Sequence, residues 1–471
     1  MTFSSLEFLL CLPLVVALYQ LCPVGWRTPW LLILSFGFYC TWSMRAAGVL
    51  AVVTVATFLA GRRIGDLESK HRAHTVFLCA IVLLVSYLFF FKIAAVAPMG
   101  RFSRITLPLG VSYYTFKLLS YVLDVYWGAL EPAGDLISFA AAIAFFPQIV
   151  AGPIHRPGDF LKQLPPSRTS LSRGTMRLVW GLAKKVWVAD KLAPAVGYVF
   201  AHVRGLHGVG LLAGIYLLPL QMYADFSALT DIANGMGLLF GIEGPENFNR
   251  PFTAQSPSGF WRCWHMSLTH WLADYVFMPL RMATRALGNA GLAFSITINM
   301  MAIALWHGLT LGFVIFGLAN AAYLVVDTLT VRHRARFYKA YPKLEPWGSR
   351  GGWLLTFHLI ATAMVLFKCH TLSDAGWLLA HAWTGFTGLG FREFVSAVDA
   401  RSLRFGLLGY GLLEIAERFR PDQWWAQTEP RVPLWVQQSV RAAVLLVAAI
   451  ALFVLTVQAG GHQTPFLYQV F

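Results

Sequence analysis

Charge is scarce in this chain, and acid is scarcer than base: 13% of its 471 residues are Asp, Glu, Lys or Arg, where soluble domains carry about 25%. That shortage, with 57% hydrophobic residues and a mean hydropathy of +0.60, excludes a soluble globular protein. Cysteine is sparse too. Cys11, Cys22, Cys40, Cys79, Cys263 and Cys369 are scattered, mostly in apolar runs and without a CxxC pair, which argues against a disulfide framework and against a metal knuckle. No GxSxG, Walker or HExxH pattern occurs, so hydrolase, nucleotide and zincin readings have no anchor. There is no internal repeat and no low-complexity tract, which weakens an inverted-repeat transporter. The longest polar connections, about 155–174, 241–263, 327–351 and 415–435, are each too short to hold a core. Any chemistry must therefore be built by the membrane body itself.

What the chain does have is apolar length. A hydrocarbon core about 30 Å thick needs roughly 20 apolar residues per helix. Stretches near 6–22, 28–60 (one or two passes), 75–99, 106–127, 136–151, 209–240, 290–326, 352–372 and 436–458 qualify. Shorter or more polar candidates lie near 174–189, 268–284, 374–385 and 403–414. The pattern predicts an all-α polytopic membrane protein of about ten or more spanning helices, some broken or re-entrant. The first segment has no basic lead and is followed by CPVGWR, so it reads as a retained helix rather than a removed signal. Lys and Arg outnumber Asp and Glu by 37 to 22, with much of the excess in GRRIGDLESKHR (61–72) and VRHRARFYK (331–339). In a polytopic protein such loops face the cytoplasm. No basic stripe with interleaved stacking aromatics suggests nucleic acid.

The region from about 241 to 281 mixes Trp261, Trp264 and Trp271 with Arg262, His265 and Asp274 behind a Gly/Pro/Asn-rich entry. Such a segment fits an amphipathic or re-entrant helix at the interface rather than a lipid-facing span. Irregular backbone at that depth is tolerated only beside protein or a water-filled cavity, so a cavity is implied. Further on, MAIALWHGLTLGFVIFGLAN (301–320) places His307 in an apolar run with no charged residue between Arg285 and Asp327. Desolvation favours neutral imidazole, which keeps one nitrogen able to accept a proton, as a general base requires. The alternative is a histidine hydrogen-bonded to a neighbouring helix as packing glue. The following Gly308 removes a side chain beside the ring, which predicts close approach by a substrate. Asp124, Gln148, Asp225, Ser227 and Asp231 are further polar groups in apolar surroundings. On a helix Asp225 and Asp231 lie some 120° apart, too far around the axis for a tight carboxylate pair, and no metal site is expected.

LPLGVSYYTFKLLSYVLDVYWG (107–128), FFPQIVAGPIHRPGDFLKQL (145–164), YADFSALTDIANGMGLLFGIEGPENFNRPF (223–252), FWRCWHMSLTHWLADYVFMPL (260–280), LWHG (305–308) and the terminal PFLYQVF together resemble the membrane-bound O-acyltransferase family, in its bacterial polysaccharide O-acetylation branch. The likeness runs over nearly the whole chain. It implies one transmembrane domain over 1–471, with a motif-rich core at about 105–327, C-terminal helices at about 352–471, and a helical bundle with re-entrant helices around a central funnel. It implies that His307 is the catalytic histidine, deep in that funnel, and that His265 is a second functional histidine nearer the cytoplasmic side. Asp225, Ser227, Asn247, Trp261, Arg262, Trp264, Ser267, Trp306 and Gln148 are the expected cavity-lining or substrate-binding residues.

The chain departs from the branch at Leu311 and Gly312, where relatives read Trp and Thr, at Ala273 for an Arg, and at Asn320 for a histidine. The activity implied is acetyl transfer from cytoplasmic acetyl-CoA, with no permanently bound cofactor, to an exopolysaccharide such as alginate or cellulose. A separate periplasmic SGNH-like partner and a bacterial inner-membrane setting are implied with it. Alternatives are D-alanyl transfer to teichoic acid with a carrier protein, peptidoglycan O-acetylation and, from another class, a lipid or sugar transporter.

Overall fold

The computed structural model describes residues 6–96, 108–166, 169–369, 371–386 and 388–419, with a few isolated positions outside those ranges. The expected span at 436–458 and the terminal PFLYQVF lie outside them. The regular structure of the described residues is all helical, apart from one isolated bridge. They fall into two compact units, one running up to Leu182 and including Leu229–Pro245 and the isolated positions beyond 421, the other comprising Ala183–Ala228 and the described residues from 246 to 419.

The first unit holds α1 (Leu6–Leu21), α2 (Val24–Cys40), α3 (Met44–Asp66), α4 (Lys70–Val96), α5 (Val111–Tyr126), α6 (Leu136–Ala144), α7 (Phe146–Ile149), α8 (Pro157–Leu161) and nearly all of α9 (Leu171–Ala183). The apolar run 28–60 is two helices because Ser43 takes an extended conformation and its side chain accepts from the amide of Ala46, starting α3 afresh. In the run 136–151, Phe145 leaves helical geometry just before Pro147, so α6 and α7 are separate.

The second unit holds α10 (Asp190–Ala201), preceded by a π-helical stretch at Lys184–Ala189. It continues with the Val209–Ala228 part of α11 (Val209–Leu239), then α12 (Pro257–Trp261), α13 (Met266–Leu272), α14 (Met278–Ala283), α15 (Gly288–His307), α16 (Leu311–Ala340), α17 (Glu345–Lys368), α18 (Leu372–His381), α19 (Gly388–Ala397) and α20 (Ala400–Phe419). The 241–281 region, expected to be an amphipathic or re-entrant helix, is a chain of short helices with a second π-helical stretch at Ala273–Phe277.

Six helices among the described residues are long and apolar enough to cross a membrane: Met44–Asp66, Lys70–Ala94, Val209–Leu239, Arg285–His307, Leu311–Ala340 and Pro342–Lys368. α1 and α2, at 16 and 17 residues, fall short of that length, as does α5 at 16. The two apolar extremes differ in surroundings: 72% of the most apolar window of α11 is buried, against 17% for α4. α4 therefore presents its surface to lipid, and α11 is an interior element. In the first unit α11 approaches α9 backbone to backbone. A Cβ on Gly235 would sit 2.7 Å from the Leu178 amide nitrogen, and one on Gly174 2.9 Å from the Gly235 carbonyl oxygen. Small residues at a helix crossing let membrane helices gain van der Waals contact where lipid offers no hydrophobic drive.

Candidate active site

His307 is the last residue of α15. The chain leaves the helix at Gly308, whose backbone is extended, and re-enters at Leu311. The half-buried imidazole is set among aromatic rings: Trp306 at 4.6 Å and Phe367 at 4.7 Å, both edge-on, and Phe313 nearly parallel at 6.2 Å. The space beside Gly308 is not open to a substrate, contrary to the sequence expectation. A Cβ there would come within 2.7 Å of Phe313 Cδ2 and closer still to Cε2. Glycine is required because Phe313, itself packed on Phe367 at 4.9 Å, fills the room a side chain would take.

His265 is reached through one indole. Trp306 lies 5.8 Å from its ring on one side and beside His307 on the other, so the two histidines flank Trp306. Phe226 covers His265 at 4.7 Å. The residue is 2% exposed, and burial pushes its pKa from 6.5 down to about 3, so the imidazole is neutral. Its backbone lies in the left-handed region, with φ 46° and ψ 50°. That conformation is uncommon for a residue with a Cβ, and such strain persists only where the surroundings over-determine it.

Those surroundings are visible. Phe248 and Trp264 form an antiparallel bridge, and the Asn249 amide donates to Cys263 O at 3.0 Å. Fully buried Asn247 accepts from the Met266 amide through its carbonyl oxygen, at 2.9 Å. Through Oδ1 it accepts from Ser267 Oγ at 2.6 Å and from the Ser267 amide at 3.3 Å. Asn247 and Ser267 thus hold the turn that forces His265 into place.

Behind this aromatic layer lies a buried ionic network of which the sequence reading singled out Asp225 alone. Lys185 Nζ donates to Asp225 at 2.8 Å and pairs with Asp190 at 2.9 Å. Neighbouring Lys184 pairs with Glu417 of α20 at 2.6 Å. Glu417 also accepts from the hydroxyl of Tyr223, and Tyr410 donates to Glu414 at 2.8 Å. The signal was Lys184-Lys185 inside the apolar run 174–189, where a charge survives only if paired. Both lysines sit on the π-helical stretch, a form that recurs at functional sites. The network reaches the histidines through α11: Tyr223 packs on Phe248 at 5.4 Å, and Phe226, next to Asp225, packs on His265.

The remaining candidates divide. Trp264 stacks on Phe260 at 5.4 Å, and Trp261 Nε1 donates to the buried Asn320 at 3.2 Å, so Asn320 anchors α12 to α16. Ser227 is buried and turns back on its own helix toward Ala224 O, at 3.5 Å. Arg262 is exposed. Asp231 belongs to the first unit and pairs with Arg177 at 3.1 Å, so the two aspartates of α11 answer to different cations.

Gln148 also belongs to the first unit, where it contacts His155. Its Nε2 lies 3.3 Å from His155 Nδ1, while Gln163 Nε2 lies 3.4 Å from His155 Nε2. Gln163 is fixed in orientation, since Nε2 donates to Glu243 O at 3.1 Å and Oε1 accepts from the Glu243 amide at 2.8 Å. The same Nε2 also donates to Asp159 O at 3.3 Å, so its two hydrogens are shared among three acceptors around the buried His155 ring. Burial, reinforced by the charge of Lys117, pushes the His155 pKa down to about 3, which keeps the ring neutral.

Residues 133–370 match the family model described as MBOAT, membrane-bound O-acyltransferase family. The chain is 34% identical to the probable alginate O-acetylase of Azotobacter vinelandii, covering 82% of this chain and 78% of that protein. It is 34% identical to the protein of the same name from Pseudomonas aeruginosa, over 88% and 81%. A peptidoglycan O-acetyltransferase of Helicobacter pylori is 26% identical over 74% and 72%, and a teichoic acid D-alanyltransferase of Bacillus subtilis 28% over 55% and 68%.

Proposed function

This chain belongs to the membrane-bound O-acyltransferase family, and from that premise we propose that it moves an acetyl group from cytoplasmic acetyl-CoA across a bacterial inner membrane for O-acetylation of an exopolysaccharide such as alginate or cellulose. It is a multi-pass membrane O-acyltransferase. Family membership removes the transporter alternative. The closer likeness to alginate O-acetylases than to the peptidoglycan and D-alanyl enzymes supports acetyl as the group and a polysaccharide as the acceptor. The reading includes a body of about ten or more spanning helices around a central funnel, and a separate periplasmic SGNH-like protein that completes delivery.

The observation that carries the chemistry is the pair of imidazoles flanking Trp306. In the proposed step His307 takes the proton of an acceptor hydroxyl as its oxygen attacks the thioester carbonyl. The tetrahedral oxyanion collapses, the C–S bond breaks, and the thiolate receives the proton from His307. The oxyanion needs a donor. The Met266 and Ser267 amides are already engaged by Asn247, which leaves the neutral ring of His265 as the donor we assign. The aromatic walls around His307 exclude water and limit loss of the thioester to hydrolysis.

Purified protein given acetyl-CoA is expected to release free thiol slowly, and His307→Ala to abolish that release while eluting as the same monodisperse species. Undiminished polysaccharide acetylation by His307→Ala would end this reading.

A further inference from the structure

The hairpin of α16 and α17 carries a surface that acyl transfer does not use. α16 has 30 residues, about 45 Å at 1.5 Å per residue, half again the hydrocarbon thickness of about 30 Å. Its uncharged part ends at Val326, so the last turns run beyond the hydrocarbon. Between positions 328 and 353 stand Arg332, Arg334, Arg336, Lys339, Lys343 and Arg350 against a single acid, Glu345. Arg334 is taken by Asp327, and Arg350 lies over the Trp347 ring at 5.1 Å. Arg332, Arg336, Lys339 and Lys343 are exposed and form no ion pair with any described residue. The spacing of the first three sets them on one face of α16, with Lys343 in the turn that follows.

Large apolar side chains share this tip. Phe337, Tyr341, Leu344, Trp347 and Trp353 are 48%, 57%, 46%, 67% and 41% exposed. The tip is nonetheless well fixed. Trp353 Nε1 donates to Phe252 O at 2.6 Å, Asp327 accepts from the Ser258 amide at 3.0 Å, and the Tyr338 hydroxyl occupies the place of the absent Gly348 side chain. Five exposed apolar groups around a cationic stripe do not suit bulk water. They suit the headgroup layer, where tryptophan and tyrosine concentrate and juxtamembrane Lys and Arg each gain about 1 kcal/mol from anionic lipid.

We propose that the tip of this hairpin is a binding surface for anionic phospholipid headgroups, with Arg332, Arg336, Lys339 and Lys343 taking the phosphates of the leaflet through which the hairpin emerges. A free anionic donor such as coenzyme A offers the same phosphate chemistry, but the geometry disfavours it. The stripe lies at the end of α16 opposite Leu311 and His307, so a donor held there by its phosphates is one membrane thickness from the catalytic ring.

The test reconstitutes the full chain in phosphatidylcholine vesicles with a trace of spin-labelled phosphatidylglycerol or phosphatidylcholine and measures the motionally restricted fraction of each. The wild type is expected to prefer phosphatidylglycerol by about twofold or more. That preference is expected to shrink as ionic strength rises from about 0.05 M to about 0.5 M. R332Q/R336Q/K339Q/K343Q is expected to show none, and R332K/R336K to keep it. Should the fourfold variant fail to fold, R332Q/R336Q and K339Q/K343Q are each expected to lose part. An undiminished preference in the glutamine variants, no preference in the wild type, or its loss on adding millimolar coenzyme A overturns the proposal. None of these readings depends on acyl transfer.

Discussion

Substituting Gly308 by alanine tests whether the fold around His307 rests on the packing described. Gly308 has φ 179° and ψ 167°, extended backbone that alanine adopts without strain, so any effect comes from the added methyl group. That methyl would lie 2.7 Å from Phe313 Cδ2, where carbon atoms ordinarily stop at about 3.5–4.0 Å, so the ring or the start of α16 must move by about 1 Å. Phe313 is 8% exposed and wedged against Phe367, and overpacking of this kind costs about 1–3 kcal/mol. The same displacement shifts the ring lying parallel to His307, so acyl transfer should fall with stability.

The assay is the apparent Tm of the detergent-solubilised protein for wild type, Gly308→Ala, Phe313→Leu and the double variant. Leucine has no ring edge at the collision point. The double variant should therefore be more stable than the two single losses predict, with a coupling of about 1 kcal/mol or more. If the glycine instead made room for a substrate, Gly308→Ala would keep its Tm, raise KM and be indifferent to Phe313→Leu. That pattern refutes the packing argument.

Lys185→Met strands the carboxylate of Asp225, whose side chain is 2% exposed, and should cost about 3–5 kcal/mol, with Lys185→Met/Asp225→Leu recovering much of it on heating assays; equal losses would place the pair outside the stabilising network. His265 is buried neutral with its pKa held near 3, below the unfolded value of 6.5, so its contribution is present above pH 6.5 and lost as pH falls toward 3, where the unfolded chain binds a proton the folded one does not. His265→Asn, which tolerates the left-handed backbone, should flatten that acid limb relative to wild type, whereas an unchanged slope would assign the acid sensitivity elsewhere.

Much of the architecture was legible because membrane helices write themselves as apolar length. The breaks were partly legible: Ser43 and Pro147 mark two of them. What length could not show is which helices are interior. α4 and α11 are both long and apolar, yet α11 is enclosed by close crossings at glycines whose partners are remote in sequence. In the candidate site, His307, Trp306, His265, Asn247 and Ser267 were found by residue type and motif. The structure adds what each holds: Asn247 and Ser267 are bound to one another, and Trp306 stands between the imidazoles. Glu417 escaped because Tyr223 of α11 lies 194 residues before it, and Glu414 because Arg250, 3.6 Å from its carboxylate, is likewise remote in sequence; nothing local distinguishes either from a solvated acid on α20. Gln148 was selected by its apolar surroundings, and those surroundings turn out to serve His155.

The two histidines share a cluster but not an environment, and the difference fits the tasks proposed for them. His265 is sealed by Phe226 and Trp306 and cannot exchange a proton with solvent without leaving its pocket, so it is suited to stay neutral and donate one hydrogen bond. His307 is only half-buried and stands at a helix end, which suits the general base proposed for it. A general base must gain and lose a proton in each turnover, whereas a fixed donor works best when it never does. Exchanging the two burials, rather than deleting either ring, would therefore be the more damaging change: a sealed residue 307 could not turn over, and an open residue 265 would protonate and compete for the same proton.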